Sequence, residues 1–190
     1  MTAATLVTTL GRPQSEGGMP LNAPIVLGST YRADGDIAYG RDGNPTVAAL
    51  EEALGVIEGG ACLAFSSGMS AVAAVLETLP GGAIVVAPRV CYFGVGELLA
   101  DRAKVGRLGV RTVDTTDPGA VIATLDGASL LWLESPTNPL LGIADLRALI
   151  DAARSRSVPV AVDNTLATPL RQQPLALGAT AVVHLSLIHI

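Results

Sequence analysis

Apolar positions recur along this chain with two different periods, and the changes of period mark its elements. Between Thr46 and Glu58, Val47, Leu50, Leu54 and Ile57 fall three or four residues apart, which predicts an amphipathic helix closed by Gly59-Gly60. Beyond it, short apolar runs read as strands: Ala61–Phe65, Ala83–Ala87, Leu108–Val113, Ser129–Leu133, Val158–Val162 and Ala179–His184. Helical segments lie between them over Gly68–Leu79, Gly94–Ala103, Asp117–Leu125 and Asp145–Ser155. Pro80-Gly81-Gly82 breaks the first of these, and Asp117 followed by Pro118 has the form of an N-cap and first helical position. The strands are continuous apolar runs and not alternating ones, which a parallel sheet covered by helices on both faces requires. The predicted fold class is therefore α/β, a three-layer sandwich with a mostly parallel sheet, and ligands of such sheets bind at the carboxyl edge.

Residues 1–45 follow neither period. They are rich in turn formers (Gly17-Gly18, Pro20, Pro24, Asn44-Pro45) and read as an N-terminal arm. An irregular segment of this length is expected to be functional or to lie on a partner. Residues 46–184 then form the domain that carries the sheet.

Composition narrows the picture. Of the 190 residues 49% are hydrophobic and 15% charged, with a net charge of −5. The apolar content supplies a sizeable core and excludes a disordered chain. Mean hydropathy is +0.49, yet no apolar run approaches the ~18–20 residues of a membrane helix. The negative charge argues against nucleic acid, whose phosphates call for a basic surface. Cys62 and Cys91 lack metal-ligand or redox spacing and read as buried free thiols in a reducing compartment. Without a basic region leading into a long apolar one at the N-terminus, the expected location is the cytoplasm.

Several familiar motifs fail. Gly94-Val95-Gly96 lacks the third glycine of a dinucleotide fingerprint, and there is no phosphate-loop Gly-Lys-Ser/Thr and no Gly-x-Ser-x-Gly elbow. His184 and His189 sit in an apolar tail and read as packed or disordered residues, not metal ligands, so no metal is expected. Four segments stand out instead, each with a plain reading beside the chemical one. Ser66-Ser67-Gly68-Met69 is either an ordinary strand-to-helix turn or a phosphate seat, offering the N–H groups of Gly68 and Met69 at a helix N-terminus. Glu134-Ser135-Pro136-Thr137-Asn138-Pro139 is either a rigid turn or a set of polar groups presented at a strand end. Asp163 ends an apolar run, where a carboxylate needs donors or a cation; it either caps the following turn or faces a positively charged ligand atom. Tyr39 and Arg41, in a Gly-rich stretch, are either a solvated loop or a grip on an anion.

Together the four segments carry a resemblance. Tyr39-x-Arg41-x-Gly43-Asn44-Pro45-Thr46, Ser66-Ser67-Gly68-Met69-Ser70-Ala71, Glu134-Ser135-Pro136-Thr137-Asn138-Pro139 and Val162-Asp163-Asn164-Thr165, in this order and spacing, resemble the trans-sulfuration family of Cys/Met metabolism enzymes dependent on pyridoxal 5'-phosphate (PLP). That family includes cystathionine γ-synthase, cystathionine γ-lyase, methionine γ-lyase and the sulfhydrylases. The resemblance covers about residues 20–184, roughly the first half of a typical member, and implies the large domain of fold-type I, aspartate aminotransferase-like enzymes. It further implies that Gly68 and Met69 bind the cofactor phosphate. Tyr39 and Arg41 would reach that phosphate from a neighbouring subunit. Tyr92, the one candidate catalytic residue, would stack on the pyridine ring, although Phe93-Gly94 stands where the family usually has Gly-Gly. Asn138 would bond the ring hydroxyl, Asp163 would keep the ring nitrogen protonated, and Thr165 would support this loop. The implied partners are small sulfur-containing or O-acylated amino acids and further copies of the chain in a homotetramer.

The likeness ends at His184. Where the family continues His-Ser-x-Thr-Lys, this chain reads His184-Leu185-Ser186-Leu187-Ile188-His189-Ile190, with Ile188 at the position of the lysine that bonds the cofactor covalently. The single lysine, Lys104, lies in a helix and reads as a solvated surface residue. Residues 185–190 read as an aberrant tail resembling a peptide translated from a sequencing-library adapter, and the family's C-terminal domain, with the arginine for the substrate carboxylate, is not in this sequence. The expectation is an incomplete PLP-binding domain of a γ-elimination or γ-replacement enzyme, inactive as this chain. The alternative is a non-catalytic PLP-binding or oligomerisation fragment.

Overall fold

The computed structural model describes residues 3–13 and 15–186; the readings made of Leu187, Ile188 and His189 lie outside the described residues. The chain divides into two compact units, residues 1–64 and 65–190.

The first unit contains a five-residue helix α1 (Ala3–Val7), not foreseen in the arm, and the helix α2 (Pro45–Glu58). Asn44 caps α2 by accepting from the Thr46 N–H at 2.8 Å, Pro45 occupies the first position, and Gly59 closes it at φ 81°. The same cap anchors the arm. Asn44 Nδ2 donates to the Val26 carbonyl (2.9 Å), while Thr46 Oγ1 accepts from the Val26 N–H (2.8 Å) and donates to the Pro24 carbonyl (3.0 Å). Asn44-Pro45-Thr46 is thus a structural clasp as well as a helix start. The strand expected over Ala61–Phe65 is not formed. No ladder partner pairs with it among the described residues, and Leu63 and Phe65 remain 75% and 47% exposed.

The second unit is the sheet and its helices. In chain order it runs α3 (Gly68–Glu77), β1 (Ala83–Pro88), α4 (Phe93–Lys104), β2 (Leu108–Val113), α5 (Pro118–Ala123), β3 (Leu130–Glu134), α6 (Leu146–Arg154), β4 (Val160–Asp163), α7 (Pro174–Leu177) and β5 (Ala181–Val183). Asp117 caps α5 as expected, accepting from the Ala120 N–H at 3.1 Å. The one-turn α7 is too short for periodicity to reveal. The strands lie in the order β2-β1-β3-β4-β5, and every neighbouring pair is parallel.

Side-chain alternation along the strands builds two cores. Val86, Leu131, Leu133, Val160 and Val162 point to the layer of α5 and α6, where they pack with Val121, Leu146, Leu149 and Ile150. Val85, Ala87, Leu130, Trp132 and Ala161 point to the layer of α3 and α4 and meet Val72, Leu76, Val95 and Leu99. By the same two-residue alternation, Glu134 and Asp163, which pair in register at the carboxyl ends of β3 and β4, belong to the α3/α4 face. The strand order reverses between β1 and β3, where open parallel sheets leave a crevice for ligands.

Candidate functional site

A cleft of about 500 Å³ opens at this carboxyl edge. Ser67, Gly68, Met69, Tyr92, Asn138, Asp163 and Thr165 all line it, so six of the eight residues expected at the site (Gly68, Met69, Tyr92, Asn138, Asp163, Thr165) converge there.

One wall is the start of α3. Ser67 is its N-cap, with its hydroxyl accepting from the Ser70 N–H at 3.1 Å. The N–H groups of Gly68 and Met69 have no acceptor among the described residues, and the ten-residue helix adds the positive end of its dipole. Leu185 packs here: a Cβ on Gly68 would lie 3.2 Å from Leu185 Cβ, so an apolar side chain borders these N–H groups.

A second wall is Tyr92, the N-cap residue of α4, whose side chain makes no capping bond. Its ring lies over Gly94, where a Cβ would come within 2.9 Å of Tyr92 Cε1 and 3.0 Å of Met69 Sδ. Hydrogen alone fits there, which makes the second glycine of the family's usual pair the one the ring depends on.

Asp163 forms the capping turn and keeps one oxygen unbonded among the described residues. Oδ1 accepts from the Thr165 hydroxyl (2.6 Å) and N–H (3.1 Å), the capping turn, while no described group bonds Oδ2, which is left to the cleft. Thr165 Oγ1 in turn accepts from the Leu185 N–H at 3.0 Å. Thr165 therefore supports the Asp163 turn. Asn138 sits on the loop after β3, exposed, with its side-chain amide making no hydrogen bond among the described residues. Ser135 and Thr137 are turned to structural use: their hydroxyls accept from the N–H groups of Ala144 (3.1 Å) and Gly142 (2.9 Å). Buried Asn164 and Gln172 bond reciprocally and fasten the same loop through the Ser135 carbonyl.

Glu134 stands in the sequence only as the first residue of a motif, with no role of its own, yet it lines the cleft. It is 4% exposed, and its carboxylate accepts from the N–H of Tyr92 (2.8 Å) and that of Asn138 (2.6 Å). Burial pushes its pKa up, the two N–H bonds oppose this, and neighbouring Asp163 adds to the rise. The signal was available: like Asp163, it is a carboxylate ending a fully apolar strand. Burial, with Glu134 next, pushes the Cys91 thiol up to about 11, so it stays protonated near neutral pH and is no nucleophile.

Tyr39 and Arg41 belong to the first unit. There the Arg41 guanidinium stacks 5.1 Å from the Tyr39 ring centroid, and Tyr39 is 42% exposed. Gly40 between them is held 3.1 Å (as a built Cβ) from the Gly28 carbonyl, an approach no larger residue allows without a shift. Lys104 is exposed at the far end of α4, ~16 Å along the helix axis from Phe93 at 1.5 Å per residue, and is not a cleft residue.

The residues present fit PLP. The free N–H pair suits its phosphate, the Tyr92 ring its flat face, the Asn138 amide its hydroxyl, and the unpartnered Asp163 Oδ2 a protonated ring nitrogen. Leu185, beside the Gly68 N–H, offers the phosphate no side-chain donor.

The model of the Cys/Met metabolism PLP-dependent enzyme family matches residues 4–187. Cystathionine gamma-synthase of Mycobacterium tuberculosis is 42% identical over 185 residues, covering 91% of this chain and 47% of that protein. A putative cystathionine gamma-lyase of Streptomyces coelicolor is 45% identical over 185 residues, covering 92% of this chain and 47% of that protein. The crystal structure of cystathionine gamma synthase from Xanthomonas oryzae pv. oryzae in complex with cystathionine superposes with a TM-score of 0.90 at 38% identity, over 97% of this chain and 50% of that one. The chain spans about half the length of these relatives.

Proposed function

Because the chain belongs to the Cys/Met metabolism PLP-dependent enzyme family, we propose that it is the cofactor-binding half of a trans-sulfuration enzyme acting at the γ-carbon of sulfur amino acids, of the cystathionine γ-synthase or γ-lyase type. The observation that carries this is the unpartnered Asp163 Oδ2 in the same cleft as the free N–H groups of Gly68 and Met69.

When bound, PLP supplies an electron sink for charge left at the substrate Cα. The chain's own residues supply the rest. Gly68 and Met69 hold the phosphate through backbone N–H groups, and Arg41 with Tyr39 does so from a neighbouring copy, Arg offering forked donors to an anion. Tyr92 covers one ring face and excludes water. Asn138 fixes the ring hydroxyl, and Asp163, oriented by Thr165, holds a proton on the ring nitrogen. Its substrates would be small sulfur-containing or O-acylated amino acids, and its assembly a homotetramer with shared sites. The 42% identity to a cystathionine gamma-synthase and the cystathionine bound to a structural relative support that substrate class.

Lys104, the one lysine in these 190 residues, does not line the cleft. The cytoplasmic assignment is supported by two free thiols and by the lack, among the described residues, of any helix long and apolar enough to cross a membrane. Equilibrium dialysis against PLP tests the reading. Retention of one cofactor per chain, lost on competition with inorganic phosphate, is expected; no retention removes the proposal.

A further inference from the structure

The cleft's two ligand-facing loops share one anchor. Tyr92 opens α4 without a side-chain cap, and Asn138 lies on a loop that projects past β3. Neither would be fixed by its own side chain, since each is expected to engage the ligand. Both backbones are tied instead to the buried carboxylate that ends β3, Oε2 to the Tyr92 N–H and Oε1 to the Asn138 N–H. No third group bonds that carboxylate among the described residues. Each oxygen accepts, which the ionised form alone does without needing an acceptor for a proton of its own. The carboxylate also faces the positive end of α4. Because β3 lies between β1 and β4, with Glu134 in register with Asp163, the anchor refers both loops to the strand end beside the ring-nitrogen partner.

We propose that Glu134 is a positioning residue of the cofactor cleft: through its two backbone bonds it sets Tyr92 and Asn138 at a fixed spacing before ligand arrives. This rests on the reading of the cleft as a PLP site. Asp would be too short to reach both N–H groups. Gln keeps the size but turns an NH2 group toward one of them, so Glu134→Gln releases one loop.

The test uses the whole chain with PLP as probe. Glu134→Gln is expected to weaken PLP retention in equilibrium dialysis by roughly tenfold, the loss of one charge-assisted hydrogen bond's worth of pre-organisation. Val121→Ala, buried on the opposite, α5/α6 face, serves as a control for general destabilisation. It is expected to lower the melting temperature comparably and to leave retention within twofold. Amide hydrogen exchange on the unaltered chain without PLP adds a measurement independent of variant folding, in which the Tyr92 and Asn138 N–H groups are expected to be protected. Exchange of both at unprotected rates, equal loss of affinity in Glu134→Gln and Val121→Ala, or unchanged affinity in Glu134→Gln overturns the inference while leaving the site reading standing. Absence of PLP retention by the unaltered chain overturns the site reading and the inference with it.

Discussion

Replacing Asp163 by Asn removes one charge and leaves the side chain's shape. The two oxygens of Asp163 have separate roles, since Oδ1 takes both bonds from Thr165 and Oδ2 has no described partner. Asn keeps a carbonyl oxygen for Thr165, so the turn after β4 survives, and the variant should unfold within ~1 kcal/mol of the parent. What changes is the group in the cleft, where an acceptor becomes an NH2 donor facing a protonated ring nitrogen. A hydrogen bond between charged groups in a half-buried site contributes about 1.5–3 kcal/mol. At about 1.4 kcal/mol per factor of ten, Kd for PLP should rise roughly 10- to 150-fold. Equilibrium dialysis gives the affinity, and urea denaturation followed by circular dichroism gives the stability. A rise of less than threefold, or a loss of stability as large as the loss of affinity, would refute the assignment of Oδ2 to the ring.

Leu185 borders the free N–H groups of α3 without a donor of its own. Leu185→Ser is expected to tighten PLP about fivefold, one added hydrogen bond of ~1 kcal/mol, and no tightening in dialysis would count against the phosphate lying there. Trp132 is fully buried with its Nε1–H unbonded. Trp132→Phe should therefore cost at most ~1 kcal/mol in urea melts, the lost volume being offset by removal of an orphaned donor, whereas Trp132→Ala should cost roughly 3–5 kcal/mol. Glu134, raised above the ordinary 4.5 chiefly by burial, binds its proton more tightly folded than unfolded. Its contribution to stability is full below that value and is lost as pH rises through the raised one. Asp114 acts oppositely. The Thr116 hydroxyl and N–H lower it from 3.8, so its contribution is present above that value and disappears as pH falls. Melting curves from pH 3 to 8 should show the first dependence vanish in Glu134→Gln and the second in Asp114→Asn.

What the sequence disclosed depended on whether one residue carried the signal or a distant neighbour did. The strands were visible because both faces of the sheet are covered, which makes Leu130–Leu133 and Val160–Val162 apolar at every position. Asp163 was visible as a charge where burial forbids one unless it is used. Glu134 carries the same signature, but the prolines that follow drew the reading toward a rigid turn, and its partners, Tyr92 and Asn138, are known only once β1 and β3 are neighbours. Ala61–Phe65 misled because an apolar run does not reveal whether another strand pairs with it. The packing of Leu185 against Gly68 is a contact between the last strand's exit and the first helix of the unit, which local patterns cannot disclose.

A crystal structure of the chain grown with PLP would show at once whether the cleft at the carboxyl edge is the cofactor's seat. The phosphate should then lie on the Gly68 and Met69 N–H groups, and the ring nitrogen within hydrogen-bond distance of Asp163 Oδ2. PLP seated instead in the smaller cleft of about 240 Å³ beside Arg89 and Thr115, or bound in the main cleft with its ring nitrogen turned away from Asp163, would contradict the assignment.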